Sequence, residues 1–381
     1  MNTKANIIIA GAGGIAEAAG LLLMEWSRVK PGLFIGNRNL PKAETLAEWI
    51  EKGTTRLCNV KAFHLPESGV PEAMKSILEE GDILLDCLPG SEAPRMARLA
   101  KEFKLHYANL TEYVAETNEI MYLAKGADTG FVLQTGLAPG YIDVLGNGLF
   151  RDFCRDHRVE TADKLELKVG ALGRNAIAPH FYAFTWSPVG VATEYLKKAE
   201  VIRDFRKTRL SALSERASII IDGITYEEDL TSGGAADLPS ALEGKVRTLD
   251  YKTLRFPGHY AWVDRQLKNL EGKADSISRL QQKMQDAIPH LEDDQIILYA
   301  AVEGKDAEGI LRRREVSKKI LPQKVGKHML RAIQTSTAAP LLQAAQLLLE
   351  SSHRGIILQS RIDPVKFLNG EFIRPVYGGY N

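Results

Sequence analysis

Ala5-Asn6-Ile7-Ile8-Ile9-Ala10-Gly11-Ala12-Gly13-Gly14-Ile15-Ala16 is the stretch that decides the fold. Its first six residues form a short β-branched run, and a glycine turn follows at once. Ile15, Ala19, Leu22, Leu23 and Trp26 then fall at helical spacing and mark an amphipathic helix. Strand, glycine-rich turn and helix, in that order, make the turn read as a dinucleotide fingerprint. Gly11 permits the tight turn, Gly13 lets the backbone approach a pyrophosphate, and Ala16 stands where a third small residue packs helix on strand. Gly14 and Ile15 open the helix, whose free N–H groups and positive dipole end suit phosphate. The competing reading of the same residues is a mere packing turn.

Working outward, the next strand, Leu33-Phe34-Ile35-Gly36, ends at Asn37-Arg38-Asn39. An NAD site usually places an acid here to hold the ribose hydroxyls. This tip has none, and Arg38 beside Asn37 suits a 2′-phosphate and stacks on adenine. NADP is therefore expected over NAD, the plain alternative being a solvated arginine at a strand end. Runs near Val60–Phe63, at Ile83–Leu88, His106–Leu110 and Gly130–Gln134 bring the strands to six, a doubly wound parallel sheet. Ligands of such sheets lie beyond the carboxyl ends of the strands. Leu88-Pro89-Gly90, Thr111-Glu112 and Gly136-Leu137-Ala138-Pro139-Gly140 are thus the loops nearest a nicotinamide. The cofactor-binding candidates are Gly11, Gly13, Gly14, Ile15, Asn37, Arg38, Leu88, Pro89 and Thr111. Cys87 reads as a small core residue inside its strand.

From about Tyr141 the pattern changes. Leu165–Val169 alternates like a strand with one wet face, and so does Ala217–Ile224. Gln295–Val302 and Arg314–Ile320 flank a polar, Gly-containing loop as a hairpin does. These strands predict a mixed, largely antiparallel sheet with helices, an α/β substrate domain. Ala332, Ala339, Leu342, Ala345 and Leu349 fit a helical stripe interrupted by Pro340, and the tail from Pro364 reads as irregular. The expected domains are 1–140 for the nucleotide, 141–325 for substrate and dimerisation, and 326–381 for a C-terminal helix and tail.

Three stretches of the second domain are too peculiar for filler. In Tyr182–Gly190, which precedes a helix expected from Ala192 to about Ala199, Trp186 stands between Thr185 and Ser187. Those three can line a pocket with an apolar wall and two donors, or Ser187 can cap a helix that Pro188 opens. Leu230-Thr231-Ser232-Gly233-Gly234 is a loop able to offer backbone N–H groups, or a plain turn. Tyr251-Lys252-Thr253-Leu254-Arg255-Phe256-Pro257-Gly258-His259 gathers Lys252, Arg255 and His259, able to hold an anion or move a proton. A lone histidine is also often structural.

Composition removes whole classes of function. Among 381 residues, 49 basic against 48 acidic side chains give a formal charge of +1, no footprint for nucleic acid or anionic lipid. With 45% hydrophobic and 25% charged residues, disorder is excluded. No apolar run approaches the ~20 residues that span a bilayer. Met1-Asn2-Thr3-Lys4 runs straight into a strand without a signal-peptide apolar region. Cys58, Cys87 and Cys154 are too scattered for a disulfide framework or a zinc site, so a reduced, cytoplasmic protein without a metal is expected. No Gly-x-Ser-x-Gly, His-Glu-x-x-His or phosphate loop ending in Gly-Lys-Ser/Thr occurs. The chemistry is then the nicotinamide's, with protein groups orienting substrate and managing a proton.

Taken together, Gly11-Ala12-Gly13-Gly14, Phe184-Thr185-Trp186-Ser187-Pro188, Thr231-Ser232-Gly233-Gly234, Tyr251–His259 and Ala332–Ala339 resemble the saccharopine dehydrogenase family. The likeness is to its saccharopine reductase and lysine 6-dehydrogenase-like branch. The resemblance implies a Rossmann domain, an α/β substrate domain inserted before the last helix, and a C-terminal helix returning to the Rossmann domain. It implies hydride transfer at a carbon bearing nitrogen, an amino-acid substrate derived from lysine, and commonly a homodimer. By position, Leu88-Pro89-Gly90 and Thr111-Glu112 would face the nicotinamide, and Thr185, Trp186, Ser187 and Arg255 the substrate. Glu112 or His259 would exchange the amine proton. Ala138 and Asn109 stand where the family often carries Asp, and Gly173-Arg174-Asn175-Ala176 lacks its usual Asn-Pro. The leading expectation is an NADP-dependent saccharopine dehydrogenase. Its alternatives are an NAD-dependent lysine 6-dehydrogenase and a non-catalytic NADP-binding protein.

Overall fold

A computed structural model of the chain describes residues 5–268, 270 and 275–380. Met1–Lys4 and Asn381, where the sequence reading touched the chain ends, lie outside the described residues. The chain divides into two compact units. Unit 1 comprises Met1–Tyr141, Gln323–Leu330 and Gln334–Asn381, and unit 2 comprises Ile142–Pro322 and Arg331–Ile333. Among the described residues, no helix is long and apolar enough to cross a membrane.

Unit 1 alternates β1 (Asn6–Ala10), α1 (Gly14–Trp26), β2 (Gly32–Asn37), α2 (Leu40–Gly53), β3 (Val60–His64), α3 (Glu72–Glu80), β4 (Ile83–Asp86), α4 (Ala93–Glu102), β5 (His106–Asn109), α5 (Val114–Leu123) and β6 (Gly130–Val132). All are parallel, in the order β6-β5-β4-β1-β2-β3, the doubly wound α/β arrangement that the sequence predicts. Helices cover both faces, which is why Ile7, Ile8 and Ile9 are all buried and the strand reads as a continuous apolar run. Ile8, Phe34, Leu84, Met96, Tyr107 and Phe131 share one core. A seventh strand, Gly355–Ile357, runs parallel beside β6 and went unread in the sequence.

Pro340 does not break its helix, which runs unbroken over Ala332–Leu349. Proline lacks the N–H that would serve the Ser336 carbonyl four residues back. The Tyr377 hydroxyl donates to that carbonyl instead. Tyr377 itself lies in a short helix, Arg374–Tyr377, inside the tail expected to be irregular. Its ring stacks on Tyr141 with centroids 3.6 Å apart. Tyr377→Phe is therefore expected to destabilise unit 1 by about 0.5–1.5 kcal/mol, the net worth of the hydrogen bond it removes. The loss should nearly vanish in a Pro340→Ala background, where residue 340 regains an N–H. Urea unfolding of the four chains of this cycle measures it, and equal losses in both backgrounds would sink the account.

Unit 2 is built on β7 (Ala162–Gly173), β8 (Ala199–Arg203), β9 (Arg206–Leu210), β10 (Ala217–Ile221), β11 (Ile224–Leu230), β12 (Val246–Arg255), β13 (Asp294–Lys305) and β14 (Leu311–Ile320). The sheet runs β10-β11-β12-β7-β13-β14, and β8 pairs with β12 and carries β9. Only the β12–β7 pair is parallel, so the sheet is mixed and largely antiparallel, as expected. Leu172, Phe184, Val191, Leu254, Tyr260 and Ile297 belong to its main core. Edge strand β14 exposes Arg312, Arg314 and Lys319 in part or in full, charges that discourage pairing with another chain.

Two expectations are corrected here. The Ala217–Ile224 run is not one strand but the hairpin β10–β11. Asp222 and Gly223 form its two-residue turn with φ of 51° and 78°, the pair of positive angles that a tight hairpin demands. The helix expected from Ala192 instead spans Pro188–Leu196. Ser187 caps it and Pro188 opens it, while Ala199 already starts β8.

Candidate functional site

In unit 1 the strand order reverses between β1 and β4, and Gly11 sits at that point. Its φ is +121°, and a Cβ there would stand 2.9 Å from the Cys87 carbonyl oxygen, so glycine alone fits. Gly13 is the N-cap of α1. It is exposed, with no heavy atom within 4 Å of a would-be Cβ, and no side chain caps the helix. The first-turn N–H groups thus face an open approach, the setting in which a helix end takes a phosphate. Gly14 and Ile15, both half-buried, complete that turn. A dinucleotide pyrophosphate fits these residues.

At the tip of β2, the Asn39 N–H donates to Asn37 Oδ1 at 2.9 Å. Arg38 reaches across the surface, its Nη1 lying 2.6 Å from Glu67 Oε1. Glu67 escaped the sequence reading because it follows β3 rather than β2. Its segment is anchored, for the Leu65 N–H donates to the Asn37 carbonyl at 3.0 Å and Arg95 to the Pro66 carbonyl at 3.0 Å.

Beyond β4 and β5, the two loops expected to meet a nicotinamide pack together. A Cβ on Gly90 would lie 2.5 Å from Thr111 Oγ1 and 2.7 Å from the Tyr113 ring. Pro89 is exposed, Leu88 and Glu112 are half-buried, and Thr111 is buried. Asp86, missed in the sequence, shapes the first loop. Its Oδ1 accepts from the Leu88 N–H at 3.0 Å and its Oδ2 from the Tyr107 hydroxyl at 2.8 Å. Burial pushes its pKa up to about 7, against the pull of those two bonds. The visible signal was a carboxylate closing the apolar run Ile83-Leu84-Leu85. Cys87 stands one residue past the strand rather than within it.

In unit 2 the structure brings the three peculiar stretches into one buried cluster. Arg255 is 1% exposed. Its Nε donates to the Tyr195 hydroxyl at 2.7 Å and its Nη1 to the Leu254 carbonyl at 3.0 Å. Its guanidinium lies 4.6 Å from the Tyr182 ring centroid, and Glu194 is 3.9 Å from Nη2, which has no hydrogen-bond acceptor among the described residues. The glycine loop joins the same place. Ser232 N–H donates to the Glu194 carbonyl at 3.1 Å, Thr231 and Thr253 share a hydroxyl bond of 2.6 Å, and Gly234 leaves room for the Tyr251 ring.

His259 is wholly buried in this cluster. Its Nδ1 is 2.7 Å from the His180 carbonyl, an acceptor, so Nδ1 carries the proton. Nε2 then accepts from the Tyr195 hydroxyl at 3.0 Å. Burial, with the Arg255 charge second, pushes its pKa down to about 3. Both ring nitrogens are spent on the protein, so His259 offers no lone pair to a substrate and braces the cluster. The expectation of a proton carrier gives way here to the structural reading.

Thr185 is buried with its hydroxyl unpaired among the described residues, and Trp186 is half-buried against Gly190. Ser187 is exposed and accepts from the Gly190 N–H at 3.4 Å, the capping alternative. A cleft of about 430 Å³ opens past the carboxyl ends of β7 and β12. Arg174, Asn175, Phe256, Gln295 and Lys319 are among the residues lining it.

Residues 7–130 match the model of the saccharopine dehydrogenase NADP binding domain, and residues 136–373 that of the saccharopine dehydrogenase C-terminal domain. Among solved structures the chain is similar to apo histidine-tagged saccharopine dehydrogenase (L-Glu forming) from Saccharomyces cerevisiae. Identity is 14% and the TM-score 0.73, over 96% of this chain and 97% of that chain. It is also similar to a homospermidine synthase from Legionella pneumophila in complex with NAD, at 14% identity and TM-score 0.68, over 99% of this chain and 90% of that one. At such identities the likeness to the two structures is one of fold. The two family matches together span nearly the whole chain, and they agree with the glycine turn at the β1–β4 reversal. This chain belongs to the saccharopine dehydrogenase family and is an oxidoreductase with a nicotinamide-nucleotide domain.

Proposed function

We propose that the chain is an NADP-dependent oxidoreductase acting on the CH–NH group of a lysine-derived amino acid, with saccharopine the first substrate to test. The observation carrying this is the open, uncapped first turn of α1 beside a β2 tip that presents Arg38 instead of an acid. Gly11, Gly13, Gly14 and Ile15 would hold the pyrophosphate, Asn37 and Arg38 the adenosine end, and Leu88, Pro89 and Thr111 the nicotinamide end. When bound, the nicotinamide accepts or returns a hydride at C4. Thr185, Trp186, Ser187 and Arg255 would hold the amino acid. Trp186 would give an apolar wall, and the unused Nη2 of Arg255 would give a donor for a carboxylate. The amine proton then falls to Glu112, half-buried in its loop. A cytoplasmic homodimer is part of the same proposal, resting on the family resemblance and the three free, scattered thiols.

One observation favours a second reading. The Glu67 carboxylate on Arg38 brings an acid to the β2 tip after all. That suits a ribose with free hydroxyls, and hence an NAD-dependent lysine 6-dehydrogenase. Two cuvette series separate the readings, with NADP⁺ or NAD⁺ offered saccharopine or lysine and followed by nicotinamide absorbance. Arg38→Ala is expected to weaken NADPH binding by about 2 kcal/mol, roughly thirtyfold, and to leave NADH unchanged. Because the Arg38–Glu67 pair is a surface pair of small worth, breaking it should not move stability. Equal NADPH affinity in wild type and variant would remove the NADP argument.

A further inference from the structure

The sequence stretch Ala332–Ala339 contributes to the resemblance but has no part in the chemistry above. Gln334, in the first turn of its helix, is 6% exposed. Its carboxamide nitrogen reaches across to α1. Nε2 donates to the Gly14 carbonyl at 2.9 Å and to Glu17 Oε2 at 3.1 Å. Both acceptors lie in the first turn of α1, where the pyrophosphate is expected. The two hydrogens of one amide nitrogen match two acceptors, which fixes the side chain's orientation.

Glu17 is an acid in that first turn. A carboxylate there is drawn toward the positive end of its own helix, and glutamates of a first turn can fold back onto N-terminal N–H groups. Gly13 and Gly14 have no side chains to oppose it. Yet α1 carries no side-chain cap. A bonded oxygen of Glu17 is held along the helix flank by Gln334, and the N–H groups stay uncovered.

We propose that Gln334 is a positioning residue for cofactor binding: it holds Glu17 away from the N-terminus of α1, so that the turn's N–H groups remain free for the pyrophosphate. Without the amide, the carboxylate swings onto those donors and competes with phosphate as an internal anion. The proposal rests on the nicotinamide-nucleotide reading of α1 and adds to it a residue from the far end of the sequence.

The test uses the full chain, with NADPH and NADH titrated by nicotinamide fluorescence and thermal unfolding recorded in parallel. Gln334→Leu is expected to raise Kd for both nucleotides by about tenfold, the scale of one charge-favouring contact reversed. Gln334→Glu, which keeps the size and adds repulsion of Glu17, should do the same if the leucine chain folds poorly. Adding Glu17→Gln to either variant should bring Kd back to near the wild-type value, while the unfolding temperature stays where the first substitution left it. That split separates positioning from packing, since a packing defect is not repaired by neutralising Glu17. Wild-type affinity in both single variants, or no recovery in the double variants, overturns the proposal. A wild-type chain that binds neither nucleotide overturns the cofactor reading itself, and the proposal with it.

Discussion

Replacing Arg255 with Met is expected to destabilise unit 2 by about 3–5 kcal/mol, the range for breaking a buried charged contact from one side. Methionine fills the same length of apolar space. It cannot donate to the Tyr195 hydroxyl at 2.7 Å or to the Leu254 carbonyl at 3.0 Å. It also removes the positive charge that lies 3.9 Å from Glu194. Tyr195 is the donor that holds His259 Nε2, so the loss passes on to the His180–His259 contact. Arg255→Lys should fall between the two. It keeps the charge and gives up the fork and the stacking on Tyr182, 4.6 Å away. Adding Glu194→Gln to Arg255→Met should recover part of the loss, because residue 194 then carries no charge for the missing guanidinium to balance. Urea unfolding followed by the fluorescence of Trp186 and Trp262 measures all four chains. A loss under about 1 kcal/mol for Arg255→Met would mean that the cluster tolerates an apolar plug, and that Arg255 is kept for a ligand alone.

This cluster also shows where sequence reasoning stops. The stretches around Trp186, Gly233 and Arg255 stood out one by one, since each carries residue types that filler does not need. Their meeting was not legible, because the contacts that join them are long-range: Tyr182 meets Arg255 across 73 positions and Thr231 meets Thr253 across 22, while Tyr195 and His180, outside all three stretches, bind Arg255 and His259 across 60 and 79. A residue type likewise says nothing of which lone pairs are already spent, and that alone decides the role of His259. The glycine turn was readable because its constraint is local: positive φ and a 2.9 Å approach at Gly11 admit one amino acid. Pro340 misled for the opposite reason. The rule against proline in a helix holds for the helix by itself, and its repair comes from Tyr377, far along the chain. Gly355–Ile357 escaped because three half-buried residues make no pattern until β6 stands beside them.

Asp86 is expected to make unit 1 less stable as pH rises from about 4 to about 7. An unfolded aspartate titrates near 3.9. In the fold, burial lifts this one to about 7. Between those values the folded chain keeps a proton that the unfolded chain has lost, so each unit of rising pH costs about 1.4 kcal/mol. The contribution is complete below about pH 4 and gone above about pH 7, an order of 4 kcal/mol across the window. The charged groups near it do not cancel this. Glu92 raises the pKa and Arg95 lowers it, and those two are paired with each other at 2.9 Å. Asp86→Asn removes the proton without removing the shape. Its Oδ1 still accepts from the Leu88 N–H, and its amide can donate to the Tyr107 oxygen in place of the bond that Tyr107 now donates. The variant should therefore show a flat profile where the wild type slopes, and it should overtake the wild type near neutral pH. Urea midpoints of both chains, taken about every half unit from about pH 4.5 to about pH 8, measure the difference. Parallel profiles would mean that Asp86 stays ionised in the fold, stabilised by Tyr107 and Leu88 more strongly than burial opposes it. In that case the Leu88-Pro89-Gly90 loop rests on a charged anchor, and Asp86→Asn should loosen NADPH at every pH.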